Sequence, residues 1–184
     1  MVVKQIILLF LLFAVLFFTL RTTYSLFSYI FKKQSFAMYV PSFNRHIRLM
    51  KTHLHLSRWK QLVDLWCGDG KAMRFFSRVF GLQCDGYELQ DFPYYYGKLI
   101  NYVLCYPQLK IYNKDFLQAD LKRYDYIYTY LLPQQMAEIE PWIFSHMSAH
   151  AIIISNSFQF AVHKPYDVIK NAKWKPSIFL YKAS

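Results

Sequence analysis

The sequence predicts an α/β fold in which a mainly parallel sheet carries helices on both faces, preceded by one N-terminal transmembrane helix. Short β-rich runs alternate with segments of helical periodicity after residue 60, which is typical of parallel sheets. Within this part, an apolar run enters a glycine-containing turn at 62–71, whereas residues 6–20 are almost wholly apolar. We therefore divide the chain into a membrane anchor with its juxtamembrane segment, residues 1–35, and one domain, residues 36–184.

The N-terminal segment is apolar almost without interruption from Ile6 to Leu20. A helix of about 15 residues spans roughly 22 Å, so it crosses a hydrocarbon core of about 30 Å only if flanking residues contribute. A cleaved signal peptide is the alternative, but residues 19–28 offer no small-residue cleavage site. We expect an uncleaved anchor, followed by an interfacial, aromatic-rich flank. This flank comprises Tyr24, Phe27, Tyr29, Ile30 and Phe31.

Basic residues around the apolar segment predict its orientation. Only Lys4 precedes the segment, so the positive-inside rule places the folded domain in the cytoplasm. Cys67, Cys84 and Cys105 are odd in number and lack metal-ligand spacing, as expected for reduced thiols in that compartment. The basic residues that follow the segment are Arg21, Lys32, Lys33, Arg45, Arg48 and Lys51.

The helices and strands of the domain can be placed in chain order. Strands are predicted by short β-rich runs at 61–65, 83–87, 110–113, 124–131 and 151–155. A last antiparallel strand is expected at 177–181, after the turn-prone Lys175-Pro176. Helices are predicted at 41–55, 71–80 and 92–104. In the last of these, we expect Tyr94, Tyr95 and Tyr96 to pack as helix residues rather than to stack on nucleic acid.

The turn after the first strand holds two glycines, Gly68 and Gly70. Because glycine has no Cβ, this turn can be tight and can let a ligand approach its backbone N–H groups. Glu88 follows 20 residues after Gly68, at the end of the next strand, where it can accept hydrogen bonds from two ribose hydroxyls. The combination predicts an adenosine-containing cofactor.

The spacing excludes two other nucleotide motifs. A dinucleotide fingerprint needs a glycine three residues beyond Gly70, where Met73 stands. A phosphate-binding loop needs Ser or Thr after Gly-Lys, whereas Ala72 stands there. Cys67 lies in the same turn, but no positioned base accompanies it, so we expect a small core residue rather than a nucleophile. His53 and His55 lie two apart, which on a helix directs them to different faces and argues against a metal pair.

The turn resembles motif I of class I S-adenosylmethionine-dependent methyltransferases, written D-x-G-x-G-x-G. The resemblance implies a Rossmann-like methyltransferase sheet and S-adenosylmethionine as cofactor. Trp66 replaces the first motif glycine, and its side chain could block the cofactor or reshape the pocket. In such enzymes an acid after the third strand commonly contacts adenine, although Asp115 could equally be a turn residue. The residues assigned to the cofactor are Asp64, Trp66, Gly68, Asp69, Gly70, Glu88 and Asp115.

A narrower resemblance covers about residues 39–160. The runs that carry it are similar to those of the small membrane-anchored lysine methyltransferases acting on the ATP synthase c subunit and the adenine nucleotide translocase. This resemblance implies a protein lysine as the methyl acceptor. The runs are Tyr39-Val40-Pro41, the glycine turn, Gly86-Tyr87-Glu88-Leu89, the Asp115 strand end and Pro133-Gln134-Gln135-Met136.

The strand predicted at 124–131 delivers the acceptor-side candidates to the carboxyl edge of the sheet. In open α/β sheets, ligands bind at that edge. We assign Tyr130, Pro133 and Gln134 to the acceptor side on this basis. Methyl transfer needs in-line approach of a neutral amine more than it needs an acid and a base, so it leaves few residue signatures.

The composition bears on the partners. The formal net charge of +11 and the 20% aromatic content favour an anionic neighbour. Nucleic acid and an anionic membrane both qualify, but the cations are dispersed and no nucleic-acid motif accompanies them, so we expect a membrane.

The sequence as a whole predicts a membrane-anchored methyltransferase that transfers a methyl group from S-adenosylmethionine to a lysine of a membrane-associated protein. The alternative is a non-catalytic, membrane-tethered binding module in which Trp66 fills the cofactor pocket.

Overall fold

The chain forms two units, Met1–Phe36 and Ala37–Ser184. The structure is a computed structural model that describes the backbone of residues 2–31, 44–170 and 177–183, and the side chains of 5–25, 46–170 and 177–183. Helix α1 (Val2–Phe31) belongs to the first unit. Its segment Gln5–Ser25 has a mean hydropathy of 2.4 and no buried side chain, and is long and apolar enough to cross a membrane.

The second unit contains a seven-stranded sheet and four described α-helices. The helices are α2 (Asn44–His53), α3 (Lys71–Phe80), α4 (Asp91–Val103) and α5 (Pro133–His146). The strands are β1 (Gln61–Asp64), β2 (Gln83–Tyr87), β3 (Leu109–Tyr112), β4 (Tyr126–Thr129), β5 (Ile152–Asn156), β6 (Asp167–Lys170) and β7 (Ser177–Lys182).

The strands are arranged in the order β3-β2-β1-β4-β5-β7-β6. The pairs from β3 to β5 are parallel, whereas β7 is antiparallel to both β5 and β6. The chain runs outward from β1 through β2 to β3 and then returns to place β4 on the other side of β1. This reversal opens a crevice at the carboxyl ends of β1 and β4, which is where such sheets bind ligands. The predicted α/β sheet and its last antiparallel strand are confirmed.

The side chains of β1 point alternately into two hydrophobic cores, as the period of a strand requires. Leu62 packs in the core beneath α3, together with Met73 and Phe76. Val63 packs in the core beneath α5, together with residues such as Met136. Both faces of the sheet are therefore covered by helices, and β1 carries the site at its end.

Several sequence predictions can be compared with the described elements. The bounds of α3 and β2 agree with the prediction, and β4 is shorter than the predicted 124–131 because Tyr124 ends a 3₁₀ turn. Strand β6 was not predicted. Its four residues are too few to show a period, and its pairing with β7 is non-local. Tyr39-Val40-Pro41 and Lys175-Pro176 lie outside the described residues.

The tyrosines of α4 pack against ring neighbours on the helix, as expected, but two of them lie outside the core. Tyr95 meets Tyr94 edge-on at 4.9 Å and Tyr96 stacks on Phe92 at 5.8 Å between centroids. The face of α4 turned toward the domain carries Pro93, Gly97 and Asn101, whereas Tyr95 and Tyr96 are exposed. Tyr94 is half-buried. The small residues of this helix allow close packing, and they displace the aromatic side chains to the outside.

Candidate cofactor and acceptor site

The turn between β1 and α3 is built on two glycines in the left-handed region. Gly68 has a φ of 55° and Gly70 a φ of 76°, values that side chains with a Cβ rarely adopt. The Gly70 N–H donates to the carbonyl of Cys67 at 2.8 Å, which closes the turn. Arg74 then donates its backbone N–H to the Gly70 carbonyl, and α3 continues from there. We call this turn, residues 64–70, the glycine loop.

Glu88 follows β2 and is bonded directly to the glycine loop. One carboxylate oxygen accepts from the Gly68 N–H at 3.0 Å and the other accepts from the Gln90 N–H at 2.7 Å. The residue is 1% exposed. Its backbone carbonyl also accepts from the side-chain amide of Asn113 at 3.1 Å. Glu88 therefore joins the ends of β1, β2 and β3 at one point.

Asp69 and helix α4 hold the other side of the glycine loop. The Asp69 carboxylate accepts from the guanidinium of Arg74 at 2.9 Å, and the same guanidinium donates to the Asn101 side chain at 3.0 Å. Gly97 allows this approach, because a Cβ there would lie 2.8 Å from the Asp69 carbonyl oxygen. The loop is thus fixed by α3, α4 and β2 together.

Asp64 lies at the end of β1, and its carboxyl is fully buried. The pKa of this carboxyl is raised to about 7, chiefly by burial and also by the nearby charges of Glu88 and Asp69. The Trp66 N–H, which donates to Asp64 at 3.2 Å, opposes this rise in the pKa. The carboxyl ends of β1 and β2 therefore gather three acidic side chains in a region of low polarity.

Trp66 is half-buried and packs toward the α5 side of the sheet. Its ring lies 5.7 Å from that of Phe116, centroid to centroid. Its indole Nε1 is buried and has no hydrogen-bond partner among the described residues. A buried indole N–H without a partner is uncommon, so this atom is a donor available to a ligand.

Asp115 caps the 3₁₀ turn Phe116–Gln118, with its carboxylate accepting from the Leu117 N–H at 2.9 Å. The side chain is half-buried. This is the turn-residue role that the sequence left open, and it places Asp115 after β3, next to the ring that contacts Trp66.

The acceptor-side candidates separate in the structure. Tyr130 is half-buried between two rings, edge-on to His46 at 5.7 Å and stacked on Phe158 at 6.5 Å between centroids. Pro133 and Gln134 are instead exposed, in the first turn of α5. The carboxyl end of β4 therefore presents an aromatic group with a polar, solvent-facing helix start beside it.

Three polar residues near this edge were not selected from the sequence. Thr129 Oγ1 and Gln135 Nε2 are buried and without a hydrogen-bond partner among the described residues. Gln135 belongs to the Pro-Gln-Gln-Met run, so that run could have pointed to it. Glu140, on α5, offers no sequence signal because its partners lie more than 20 residues away.

Glu140 fixes the segment that follows β5. Its buried carboxylate accepts from the backbone N–H groups of Ala161, Val162 and His163, the last at 2.6 Å. The imidazole Nδ1 of His163 lies 2.8 Å from the same carboxylate. These hydrogen bonds hold the pKa of Glu140 below its ordinary value although burial acts to raise it. Phe158, which stacks on Tyr130, lies in this segment.

The described residues suit a cationic, ribose-containing cofactor. The acidic ends of β1 and β2 match positive charge, and the unpartnered buried donors offer hydrogen bonds to a ligand. Cys67 is buried, and burial raises the pKa of its thiol well above its ordinary value, which agrees with a core residue rather than a nucleophile. No group of His, Cys, Asp and Glu among the described residues could hold a metal ion.

The strand order and the glycine loop define the fold of class I S-adenosylmethionine-dependent methyltransferases. Residues 64–167 match the family described as the ANTKMT methyltransferase domain. Because this match covers more than half of the chain, the chain belongs to that family. No curated protein matches the chain.

Solved structures agree on the fold. An RNA methyltransferase from Salinibacter ruber, in complex with S-adenosyl-L-homocysteine, has a TM-score of 0.69 and 18% identity, covering 78% of this chain and 94% of its own. MtNAS, in complex with MTA and tNA, has a TM-score of 0.65 and 14% identity over 77% of this chain and 61% of its own. Geranyl diphosphate C-methyltransferase from Streptomyces coelicolor A3(2) has a TM-score of 0.53 and 15% identity, over 61% and 45%. At these identities the likeness concerns the fold alone.

Proposed function

We propose that this protein is a membrane-anchored methyltransferase that uses S-adenosylmethionine to methylate a lysine side chain of a membrane protein, with its domain on the cytoplasmic side. The observation that carries the proposal is the direct hydrogen bond from the Gly68 N–H to the Glu88 carboxylate. It joins the two parts of the cofactor signature at the point where the strand order reverses.

In this proposal, the glycine loop and Glu88 hold the adenosine part of the cofactor, and Asp115 lies on the adenine side. When bound, S-adenosylmethionine supplies a methyl group on a positively charged sulfur. The carboxyls of Glu88 and Asp64 favour a cation at this edge of the sheet, whereas the charge of Asp69 is already paired with Arg74. The pKa of Asp64 is raised by burial, so a bound cation would favour the ionised form of this carboxyl.

The acceptor side is assigned to Tyr130, with Pro133 and Gln134 beside it. A lysine amine attacks only in its neutral form, and contact with apolar rings lowers its pKa by desolvation. Tyr130 and Phe158 provide such rings at the end of β4. Tyr130 and Phe158 would hold the amine in its neutral form, with its proton released to solvent, so that it could accept the methyl group that the cofactor would supply. The work of the protein is therefore orientation and exclusion of water.

The membrane location rests on α1. A helix of this apolarity, with Lys4 alone before it and several cations after it, is expected to span with its C-terminal end in the cytoplasm. Tethering to the bilayer raises the effective concentration of membrane-protein lysines over soluble ones. The family to which the chain belongs supports a protein acceptor.

The test compares methyl-lysine in membranes from cells that contain the wild-type chain, Glu88→Ala or Glu138→Gln. Glu138 is an exposed carboxylate on α5 that accepts from the Gln134 side chain at 3.3 Å, and Glu138→Gln serves as the control because it keeps an oxygen that can accept this bond. We expect peptide mass spectrometry to find methyl-lysine on at least one membrane protein with the wild type and the control, and not with Glu88→Ala. Because Glu88→Ala is also expected to lower the stability of the fold, methyl-lysine is compared at equal amounts of protease-resistant, folded chain in the three membranes. Radiolabelled methyl groups that enter only lipids or small molecules would contradict the lysine assignment.

A second candidate function is a tethered binding module without catalysis. It is favoured by Trp66 in place of the first motif glycine and by the burial of Glu88, which is only 1% exposed. In that case, the glycine loop would be a structural turn, and the Tyr130 edge would bind a partner without modifying it. Cofactor binding distinguishes the two candidates.

A further inference from the structure

Helix α4 has an outward face that is unusually apolar for the surface of a domain. Tyr102 is 83% exposed, Tyr95 67% and Leu99 59%. Only Pro93, Gly97 and Asn101 of this helix are buried. An ordinary amphipathic helix has the opposite arrangement, with large apolar side chains inside. The outward face of α4, which we call the α4 face, comprises Phe92, Tyr95, Tyr96, Leu99, Tyr102 and Val103.

The arrangement follows from the position of α4 beside the glycine loop. Gly97 must be small because the Asp69 carbonyl lies where its Cβ would be. Asn101 must be polar because it accepts from Arg74, which in turn holds Asp69. The inner face is thus set by the cofactor loop, whereas the outer face carries four large apolar side chains that are each more than half exposed. These are Tyr95, Leu99, Tyr102 and Val103. Contiguous apolar surface of this kind marks an interaction site.

The composition of the α4 face and its flank identifies the partner. Lys98 lies on α4 itself, is exposed, and has its Nζ 5.4 Å from the centroid of the Tyr94 ring. The single acidic residue of the helix is Asp91, at its first position. Tyrosine, leucine and lysine together on one surface are suited to the headgroup region of a bilayer, where rings sit at the interface and ammonium groups meet anionic lipids.

The tether keeps a bilayer within reach. Helix α2 begins at Asn44, only 13 residues after the end of α1 at Phe31. Even a fully extended chain of that length covers only about 45 Å. If α1 spans the membrane, as proposed above, the domain stays close to the lipid surface at high effective concentration.

We propose that the α4 face docks into the headgroup region of an anionic bilayer and forms a second membrane contact, separate from α1. Docking places the glycine loop, which α4 holds through Gly97, close to the lipid surface. The orientation of the domain over its membrane-protein substrate is then set by α4, while α1 only limits the distance. The proposal depends on the membrane anchor but not on catalysis.

Cys105 provides a natural probe. It lies directly beyond α4 and is exposed, whereas Cys67 and Cys84, the other two cysteines of the chain, are buried. The full chain is labelled at Cys105 with an environment-sensitive fluorophore and reconstituted in nanodiscs of phosphatidylcholine and phosphatidylglycerol. Quenching by lipids that carry a nitroxide near the headgroup then measures contact with the bilayer. The reference is Cys105→Ser combined with Ser145→Cys, an exposed position on α5, which covers the opposite face of the sheet.

We expect several-fold stronger lipid quenching at position 105 than at position 145, and a weaker effect in discs of phosphatidylcholine alone. We expect the difference in quenching between the two positions to be abolished in the triple variant Tyr95→Ser, Leu99→Ser and Tyr102→Ser. The matched control replaces three exposed apolar side chains elsewhere, Trp59, Val162 and Tyr166, by Ser and should retain it. Equal melting temperatures of the two triple variants show that both are folded.

Two results would overturn the inference. Equal quenching at positions 105 and 145 in chains that are incorporated into discs would show that α4 does not meet lipid. If the fluorophore at position 105 is protected from lipid quenching only in discs that hold two copies of the chain, the α4 face binds a second copy of the chain instead of lipid. Failure of the chain to enter discs at all would instead refute the anchor, so the two proposals fail in different ways.

Discussion

The two sides of the site differ in how they are held. On the cofactor side, the glycine loop is fixed by hydrogen bonds to β2, α3 and α4, and Glu88 is buried. On the acceptor side, Tyr130 is held by ring contacts and Pro133 and Gln134 are exposed. A cofactor that many proteins share has the same structure in each, so its binding requires one fixed backbone geometry. Binding of the methyl acceptor instead requires an exposed surface. Substitutions on the two sides should therefore have different consequences.

The largest effect is expected for Glu88→Ala. It removes the acceptor of the Gly68 and Gln90 N–H groups, of which the first is buried and the second half-buried. Each buried unsatisfied group costs about 1–3 kcal/mol, so we expect the free energy of unfolding to fall by about 2–5 kcal/mol. Chemical denaturation of the full chain in detergent measures this. Glu138→Ala should change it by less than about 0.5 kcal/mol, and an equal loss in both variants would contradict the account.

Gly97→Ala should separate α4 from the glycine loop. A Cβ at this position would lie 2.8 Å from the Asp69 carbonyl and 2.8 Å from Ile111, so the helix must shift. We expect a destabilisation of about 1–3 kcal/mol from overpacking, together with weaker cofactor binding. Lys98→Ala, at the neighbouring exposed position, is the control for both measurements. Unchanged stability in Gly97→Ala would show that the contact is not tight.

The raised pKa of Asp64 predicts a pH dependence. With a folded-state pKa of about 7, against an ordinary value near 4, the folded chain holds a proton that the unfolded chain releases in this interval. Stability should therefore fall as the pH rises from about 4 to 7, and the contribution of Asp64 should level off above that range. Melting temperatures of the wild type and of Asp64→Asn test this expectation. In Asp64→Asn, the melting temperature should lose this part of its fall with rising pH. Identical slopes of melting temperature against pH in the two proteins would contradict the expectation.

On the acceptor side, Glu140→Gln should act on the substrate and spare the cofactor. The substitution weakens the acceptor of three backbone N–H groups and of the His163 ring, so the segment that carries Phe158 loosens against Tyr130. We expect KM for the acceptor to rise several-fold while cofactor affinity stays within about twofold, which is within 0.5 kcal/mol. Glu138→Gln is the matched control. A parallel loss of cofactor affinity would show that the two sides are not separate.

The same division explains what the sequence could predict. Gly68, Gly70 and Glu88 are recognisable because a backbone turn and an acid 20 residues later are local signals along neighbouring strands. The bounds of α3 and β2 follow from periodicity for a similar reason. The contacts of Glu140 with residues 161–163, the short strand β6 and the inverted face of α4 depend on non-local pairing, which no local pattern records. The small residues on α4 are explained only by the folded structure, because the Asp69 backbone lies against Gly97 and leaves no room for a side chain there.

Trp66 lies in the glycine loop at the position of the first motif glycine, and its side chain separates the two proposed functions. Its ring packs toward Phe116, on the α5 side of the sheet, and its indole N–H has no partner among the described residues. We expect this position to leave room for the cofactor beside the glycine loop. Trp66→Gly restores the motif glycine and is the sharpest comparison available in the chain.

Titration calorimetry of S-adenosylmethionine and S-adenosylhomocysteine into the full chain in nanodiscs tests the central claim most directly. The account predicts saturable binding to the wild type, similar binding to Trp66→Gly and to Glu138→Ala, and a loss of about 1–3 kcal/mol of binding free energy in Glu88→Ala. Absence of binding to the wild type, with binding restored in Trp66→Gly, would contradict it. That result would assign the protein to the non-catalytic module instead.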